Sequence, residues 1–127
     1  RSLHISRIFF VKEVSLMDTG YKVIDRNLVL SIGPELDHHE ARKIRQITDE
    51  QLRRSRARNI ILDFSGTSFM DSAGIGMIIG RYKEANLRGG KVCVIHAGHS
   101  IQKLMEISGL YKLVYEYKDL KEALENL

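Results

Sequence analysis

The sequence predicts an α/β domain: one mixed, mostly parallel β-sheet with helices packed on it, in the order ββαβαβαβα. Three observations predict it. Apolar, β-rich runs such as Asn59-Ile-Ile-Leu-Asp-Phe64 and Lys91-Val-Cys-Val-Ile95 alternate along the chain with stretches of helical periodicity. Strand–helix–strand units of this kind imply parallel pairing and right-handed crossovers. The 127 residues contain one proline and no Ser/Gly-rich linker, so no boundary divides residues 18–127.

The elements follow in order. Arg7-Ile-Phe-Phe-Val-Lys-Glu-Val14 suits a strand or a short helix, and its pattern assigns neither. Residues 20–26 and 27–32 are β-rich runs meeting at Asp25-Arg-Asn27, which reads as a hairpin, and Gly33-Pro34 stops the second strand. Residues 35–52 read as an amphipathic surface helix. Asp37 is its N-cap, Glu40 stands at capping-box spacing, and Ala41, Ile44, Ile47 and Leu52 form an apolar stripe. The run 59–64 is apolar on both faces except at Asp63, as a central strand covered on both sides requires.

After a short polar bend, Asp71-Ser72 stands at the mouth of a helix that carries Gly74, Gly76 and Gly80. Asp and Ser both cap exposed N–H groups at helix starts. Each glycine costs about 1 kcal/mol relative to alanine, so close approach of another backbone or of a partner is the expected gain. Ile75, Ile78, Ile79 and Tyr82 fall at helical spacing, and Gly89-Gly90 ends the helix. Then come a strand over 91–95 and a helix over 100–109, with Ile101, Leu104, Met105 and Ile107 inward and Gly109 as its stop. A strand over 113–117 and a terminal helix over 119–127, capped by Asp119, complete the chain.

Composition excludes several classes. Hydrophobic residues make up 43% and charged residues 28%, the balance of an ordinary soluble domain with a proper core. No apolar run approaches the roughly 20 residues of a membrane span. Ile8-Phe-Phe-Val11 is too short for a secretory h-region. Cys93 is the only cysteine and lies in an apolar run, so it reads as a buried reduced thiol that suits the cytoplasm. The chain begins with Arg1, and Met17 reads as a natural initiator, with residues 1–16 supplied by a vector or an upstream reading frame. Residues 1–17 are therefore taken as an N-terminal extension of uncertain origin. The net charge is +4. Without residues 1–16 there are 17 basic against 15 acidic side chains, or +2, concentrated in Arg42, Lys43, Arg45, Arg53, Arg54, Arg56 and Arg58. Such a patch could meet nucleic acid or an acidic protein surface, although a solvated helix face is a commoner explanation than either.

Motif spacing argues against most chemistry. Gly74-Ile-Gly76 lacks the third glycine of a dinucleotide loop, since position 79 is isoleucine, and Gly90-Lys91 is followed by valine, not Ser/Thr. His38-His39 and the pair His96 and His99 do not fall at metal-ligand spacing, so no metal or cofactor is expected. Ser72 sits in Asp-Ser-Ala-Gly, not Gly-x-Ser-x-Gly, and no base follows in a triad-like context, so no enzyme is expected. Ser72 as a simple N-cap needs no further explanation. The competing reading is modification: a phosphoryl group there meets free N–H groups and the positive end of the helix dipole, and adds about −1.5 to −2 charge at the surface.

Four segments in register carry a resemblance: Phe69-Met-Asp-Ser-Ala-Gly-Ile-Gly76, Gly80-Arg-Tyr-Lys83, Glu35-Leu-Asp-His-His39 and Ile107-Ser-Gly-Leu-Tyr-Lys112. Together they resemble the STAS family of anti-sigma factor antagonists, most of all the stage II sporulation antagonists of endospore-forming bacteria. The resemblance covers residues 21–127 and implies a STAS domain over 18–127. It implies a cytoplasmic regulator that binds an anti-sigma factor serine kinase, frees the sigma factor, and loses the kinase once phosphorylated. A serine phosphatase resets it. The phosphorylated residue implied is Ser72, and Ala73 stands where relatives often carry a second serine. The partner surface implied comprises Asp37, His38, His39, Asp71, Ser72, Ala73, Gly74, Gly76 and Arg81. The alternatives are a phosphate- or nucleotide-binding STAS module at the mouth before Gly74 and, below it, nucleic-acid binding through the arginines.

Overall fold

The computed structural model describes residues 8–11 and 19–127. Strands β1 (Ile8–Val11), β2 (Gly20–Ile24), β3 (Asn27–Ser31), β5 (Asn59–Asp63), β7 (Val92–Ile95) and β8 (Tyr115–Tyr117) form one sheet in the order β1-β2-β3-β5-β7-β8. The first three pair antiparallel, and β3, β5, β7 and β8 pair parallel, with Leu28 beside Ile60 and Leu62 beside Val94. β4 is the two-residue strand Glu35–Leu36 and β6 is Phe69–Met70. The helices are α1 (His38–Arg54), α2 (Ser72–Leu87), α3 (His99–Ile107) and α4 (Leu120–Asn126), with a 3-10 turn at Leu110–Lys112. The unassigned run near the front includes β1, while the rest of it and the reading of Met17 lie outside the described residues.

Alternation along the strands splits the interior in two. Leu28, Leu30, Ile60, Leu62, Val92 and Val94 face α1, α2 and α3 and share a core with Ile44, Ile78, Ile101 and Met105. Val29, Ile61, Cys93 and Ile95 face the other way and are covered by α4 through Ala123, Leu120 and Leu124. Each fully buried aliphatic side chain there contributes roughly 1.5–3 kcal/mol. Burial pushes the Cys93 thiol up to about 12, so it stays protonated and unreactive.

The hairpin closes through Asp25, whose φ of 54° is the left-handed region Asp tolerates in a tight turn. Gly109, at φ 81°, stops α3 as its position suggests. Two expectations are corrected. Ile107 is 73% exposed, not inward. Six residues on from Ile101 it lies about 120° around the helix from that buried stripe. The chain between strands β3 and β5 also holds β4, which pairs in parallel with β6. A two-residue strand is too short to leave a period in the sequence.

Candidate functional site

The small β4–β6 sheet builds the site. Glu35 lies beside Phe69 and Leu36 beside Met70, so the next residues, Asp37 and Asp71, start α1 and α2 side by side. Thr67 ties the approach down by donating its hydroxyl to the Gly33 carbonyl at 2.9 Å. Ser68 N–H donates to the Pro34 carbonyl at 2.8 Å.

Both aspartates cap in nearly the same backbone conformation, with φ, ψ of −104°, −169° at Asp37 and −111°, −169° at Asp71. Asp37 Oδ1 accepts from Glu40 N–H at 3.0 Å. That bond holds its carboxyl below the ordinary 3.8. Asp71 Oδ1 accepts from Ala73 N–H at 2.9 Å and from Gly74 N–H at 3.3 Å. Asp71, not Ser72, is therefore the cap. Ser72 is the first helical residue and is exposed, and its hydroxyl has no partner among the described residues. This corrects the reading of Ser72 as N-cap. It also corrects the picture of free amides awaiting a phosphate, because Asp71 occupies the Ala73 and Gly74 N–H groups.

Glu40 does not complete a capping box. Its buried carboxylate reaches back to accept from Gly33 N–H at 2.6 Å and from the Thr19 hydroxyl, locking the first turn of α1 to the sheet. His38 and His39 are exposed. Arg42 donates to His38 Nε2 at 3.0 Å, which places that ring's proton on Nδ1.

The glycines divide. Gly74 is buried, and a Cβ there would lie 2.6 Å from Met70 Cγ and 2.8 Å from both Leu36 Cγ and the Leu36 carbonyl oxygen. Its bareness lets β4 and β6 close onto α2, so Gly74 presents no surface to a partner, contrary to expectation. Gly76 and Gly80 face open space. With Ala73 they floor a groove of about 530 Å³ between α1 and α2, rimmed by His38, Arg42 and Arg45. Arg81 lines it too, but is only 8% exposed, with Nε 3.2 Å from Glu84 Oε1. Burial raises the Glu84 carboxyl, the Arg81 charge opposes that rise, and Asp49 adds to it.

The structure thus gathers Asp37, His38, His39, Asp71, Ser72, Ala73 and Gly76 at one end of the domain, with Arg81 further along the groove. Sequence reasoning missed Phe69, 49% exposed and two residues before the capping aspartate, which an aromatic in a polar bend could have signalled. It also merged the arginines into one patch. Arg42 and Arg45 line the groove, whereas Arg56 and Arg58 line a separate depression with Arg26 and Arg88 at the far ends of α1 and α2. Among the described residues no cluster of three or more metal-ligating side chains exists, and no helix is long and apolar enough to cross a membrane.

Comparison with known proteins places the chain. The family model for the STAS domain matches residues 17–124. An anti-sigma F factor antagonist of Paenibacillus polymyxa is 36% identical over 100 residues, covering 79% of this chain and 86% of its own. The structure of the anti-sigma factor antagonist SpoIIAA in its unphosphorylated form superposes with a TM-score of 0.70 at 25% identity, covering 92% of this chain and 93% of its own. The phosphorylated form of SpoIIAA, described as a Bacillus cell-fate determinant, gives 0.63 at 25% identity over 92% and 96% of the two chains. The chain belongs to the STAS domain family.

Proposed function

We propose that this protein is an anti-sigma factor antagonist that binds an anti-sigma factor serine kinase, frees the sigma factor, and is switched off by phosphorylation of Ser72. It acts by binding, and a serine phosphatase restores the active form. The names of the relatives support the antagonist role. The existence of a phosphorylated SpoIIAA structure supports modification as its control.

One observation carries the reading: Ser72 is an exposed hydroxyl at the first position of α2, with the capping work done by its neighbour Asp71. A phosphoryl group can be added there without removing a hydrogen bond on which the fold depends. It brings about −1.5 to −2 charge to a surface shared with Asp37, His38 and His39, enough to eject a fitted partner. The switch then needs no refolding.

Two variants test it against the cognate kinase. Ser72→Ala should bind with ATP present and stay bound, while Ser72→Asp should bind poorly. Equal binding by both, with and without ATP, would sink the switch.

A further inference from the structure

We propose that the groove between α1 and α2 seats an acidic helix of the partner, a reading that rests on the partner-switching function above and names the chemistry of its contact. Two independent features of the groove point to this occupant, and a third shapes its wall.

The floor is the first. Gly76 and Gly80 are four residues apart on α2, so they lie on one face, and a Cβ at either would meet nothing within 4 Å. Ala73 extends the same stripe toward Ser72. Over seven residues that stripe runs about 10 Å along the helix. Small residues at four-residue spacing let a second helix backbone approach closely. A helix laid in a groove between two helices is a common mode of peptide recognition.

The rim is the second. Arg42 and Arg45 stand one turn apart on α1, both exposed, and no carboxylate pairs with either among the described residues. Like charges one turn apart repel each other, so their placement is unfavourable until an opposite charge arrives. His38 accepts a hydrogen bond from Arg42, which directs that guanidinium along the groove edge and leaves its remaining N–H groups to donate outward.

The wall is the third. Arg81 lines the groove with nine-tenths of its surface buried, and its Nε is ion-paired with Glu84 Oε1 at 3.2 Å, shut off from solvent. Glu84 is the acidic group beside it, and burial raises that carboxyl while the Arg81 charge opposes the rise. Arg81 is thus held by Glu84 and shapes the side of the groove. Carboxylates on the incoming helix would meet Arg42 and Arg45 while its small side chains rest on the glycines.

This occupant also explains why modification at Ser72 ejects the partner. Ser72 immediately precedes Ala73 at the mouth of the groove, so a phosphate there adds about −1.5 to −2 charge where an acidic helix must enter. An acidic helix is repelled, and the cationic rim is partly neutralised.

Binding of the full chain to its cognate anti-sigma factor kinase by calorimetry, at low and moderate salt, tests the proposal. Arg42→Glu with Arg45→Glu should weaken binding roughly tenfold or more and flatten its salt dependence, because charge pairs at an interface are lost. Gly80→Leu, which fills open space and leaves the core untouched, should weaken binding by a similar factor with an unchanged or higher melting temperature. Arg53→Glu with Arg54→Glu, on the same helix but outside the groove, should leave affinity within about twofold at moderate salt, where distant charges are screened. Wild-type affinity for the Arg42/Arg45 variant, or equal losses for the two arginine pairs, overturns the groove while leaving the antagonist function standing. Failure of the wild-type chain to bind the kinase overturns the function itself and the groove with it.

Discussion

The mouths of α1 and α2 are built alike and used differently. Each follows a residue of the β4–β6 sheet, each is capped by an aspartate in the same conformation, and the third helical residue of each donates its N–H to that cap. In α1 that residue is Glu40, whose side chain reaches inward to Gly33 and Thr19. In α2 it is Gly74, which has no side chain and lets Met70 and Leu36 close in. One mouth is locked by an added polar side chain, the other by a missing one. The α2 mouth thereby keeps its outer first position, Ser72, free of structural duty.

Substitutions can break this comparison, and the largest effect falls at Gly74. Gly74→Val forces a Cβ into Met70, Leu36 and a backbone carbonyl, and should cost about 3 kcal/mol or more in urea unfolding. Gly76→Ala, two residues along in open space, should instead stabilise by about 0.5–1 kcal/mol. Similar losses at both positions would show that Gly74 is not the packing point.

Next in size is Glu40→Ala, which strands Gly33 N–H and the Thr19 hydroxyl. A loss of about 2–3 kcal/mol in urea midpoint terms is expected, the cost of buried polar groups without partners. A change below about 0.5 kcal/mol, the scale of an ordinary surface substitution, would mean that α1 is not locked in this way.

Asp71→Ala should cost about 1 kcal/mol, since it removes the acceptor for Ala73 and Gly74 N–H. At the other mouth the cap is visible through pH. The Asp37 carboxyl is lowered in the folded state, chiefly by the Glu40 N–H, so its stabilisation is present above the ordinary 3.8 and is lost as pH falls through the lower folded value. Wild type should therefore lose more stability than Asp37→Asn between pH 5 and pH 3, because asparagine caps without titrating. Parallel acid curves for the two proteins would contradict the assignment.

The smallest effect is expected at Ser72. Ser72→Ala should change stability by less than about 0.5 kcal/mol, as for any exposed side chain without a structural partner. A loss near 1 kcal/mol would return Ser72 to the role of cap.

Much of this was legible in the sequence, for physical reasons. The strands announced themselves as apolar runs, and β5 carried the double-sided pattern of a buried central strand, with Ile60, Ile61 and Leu62 all fully buried. The caps Asp37 and Asp119 were readable because capping is local chemistry, while at α2 the sequence offered two neighbouring capping side chains and Asp71, not Ser72, took the role. What escaped was non-local. Nothing at Glu40 signals that its partners are Gly33 and Thr19, and nothing in three spaced glycines tells which one is packed. Gly74 and Gly76 differ by two residues and about 200° around the helix, which is the difference between the inside and the outside. The pairing of β4 with β6 joins residues 34 apart through one ladder of two residue pairs, and it sets the two mouths side by side.

The central claim is that Ser72 is the switch. Incubation of the full chain with its cognate kinase and ATP, followed by mass-spectrometric mapping and a binding assay on the purified phosphoprotein, tests it most directly. The account predicts a single phosphate on Ser72, and a phosphoprotein that no longer retains the kinase. A phosphate on Ser65 or Ser68 instead, or a Ser72 phosphoprotein that binds as tightly as the unmodified chain, would contradict it.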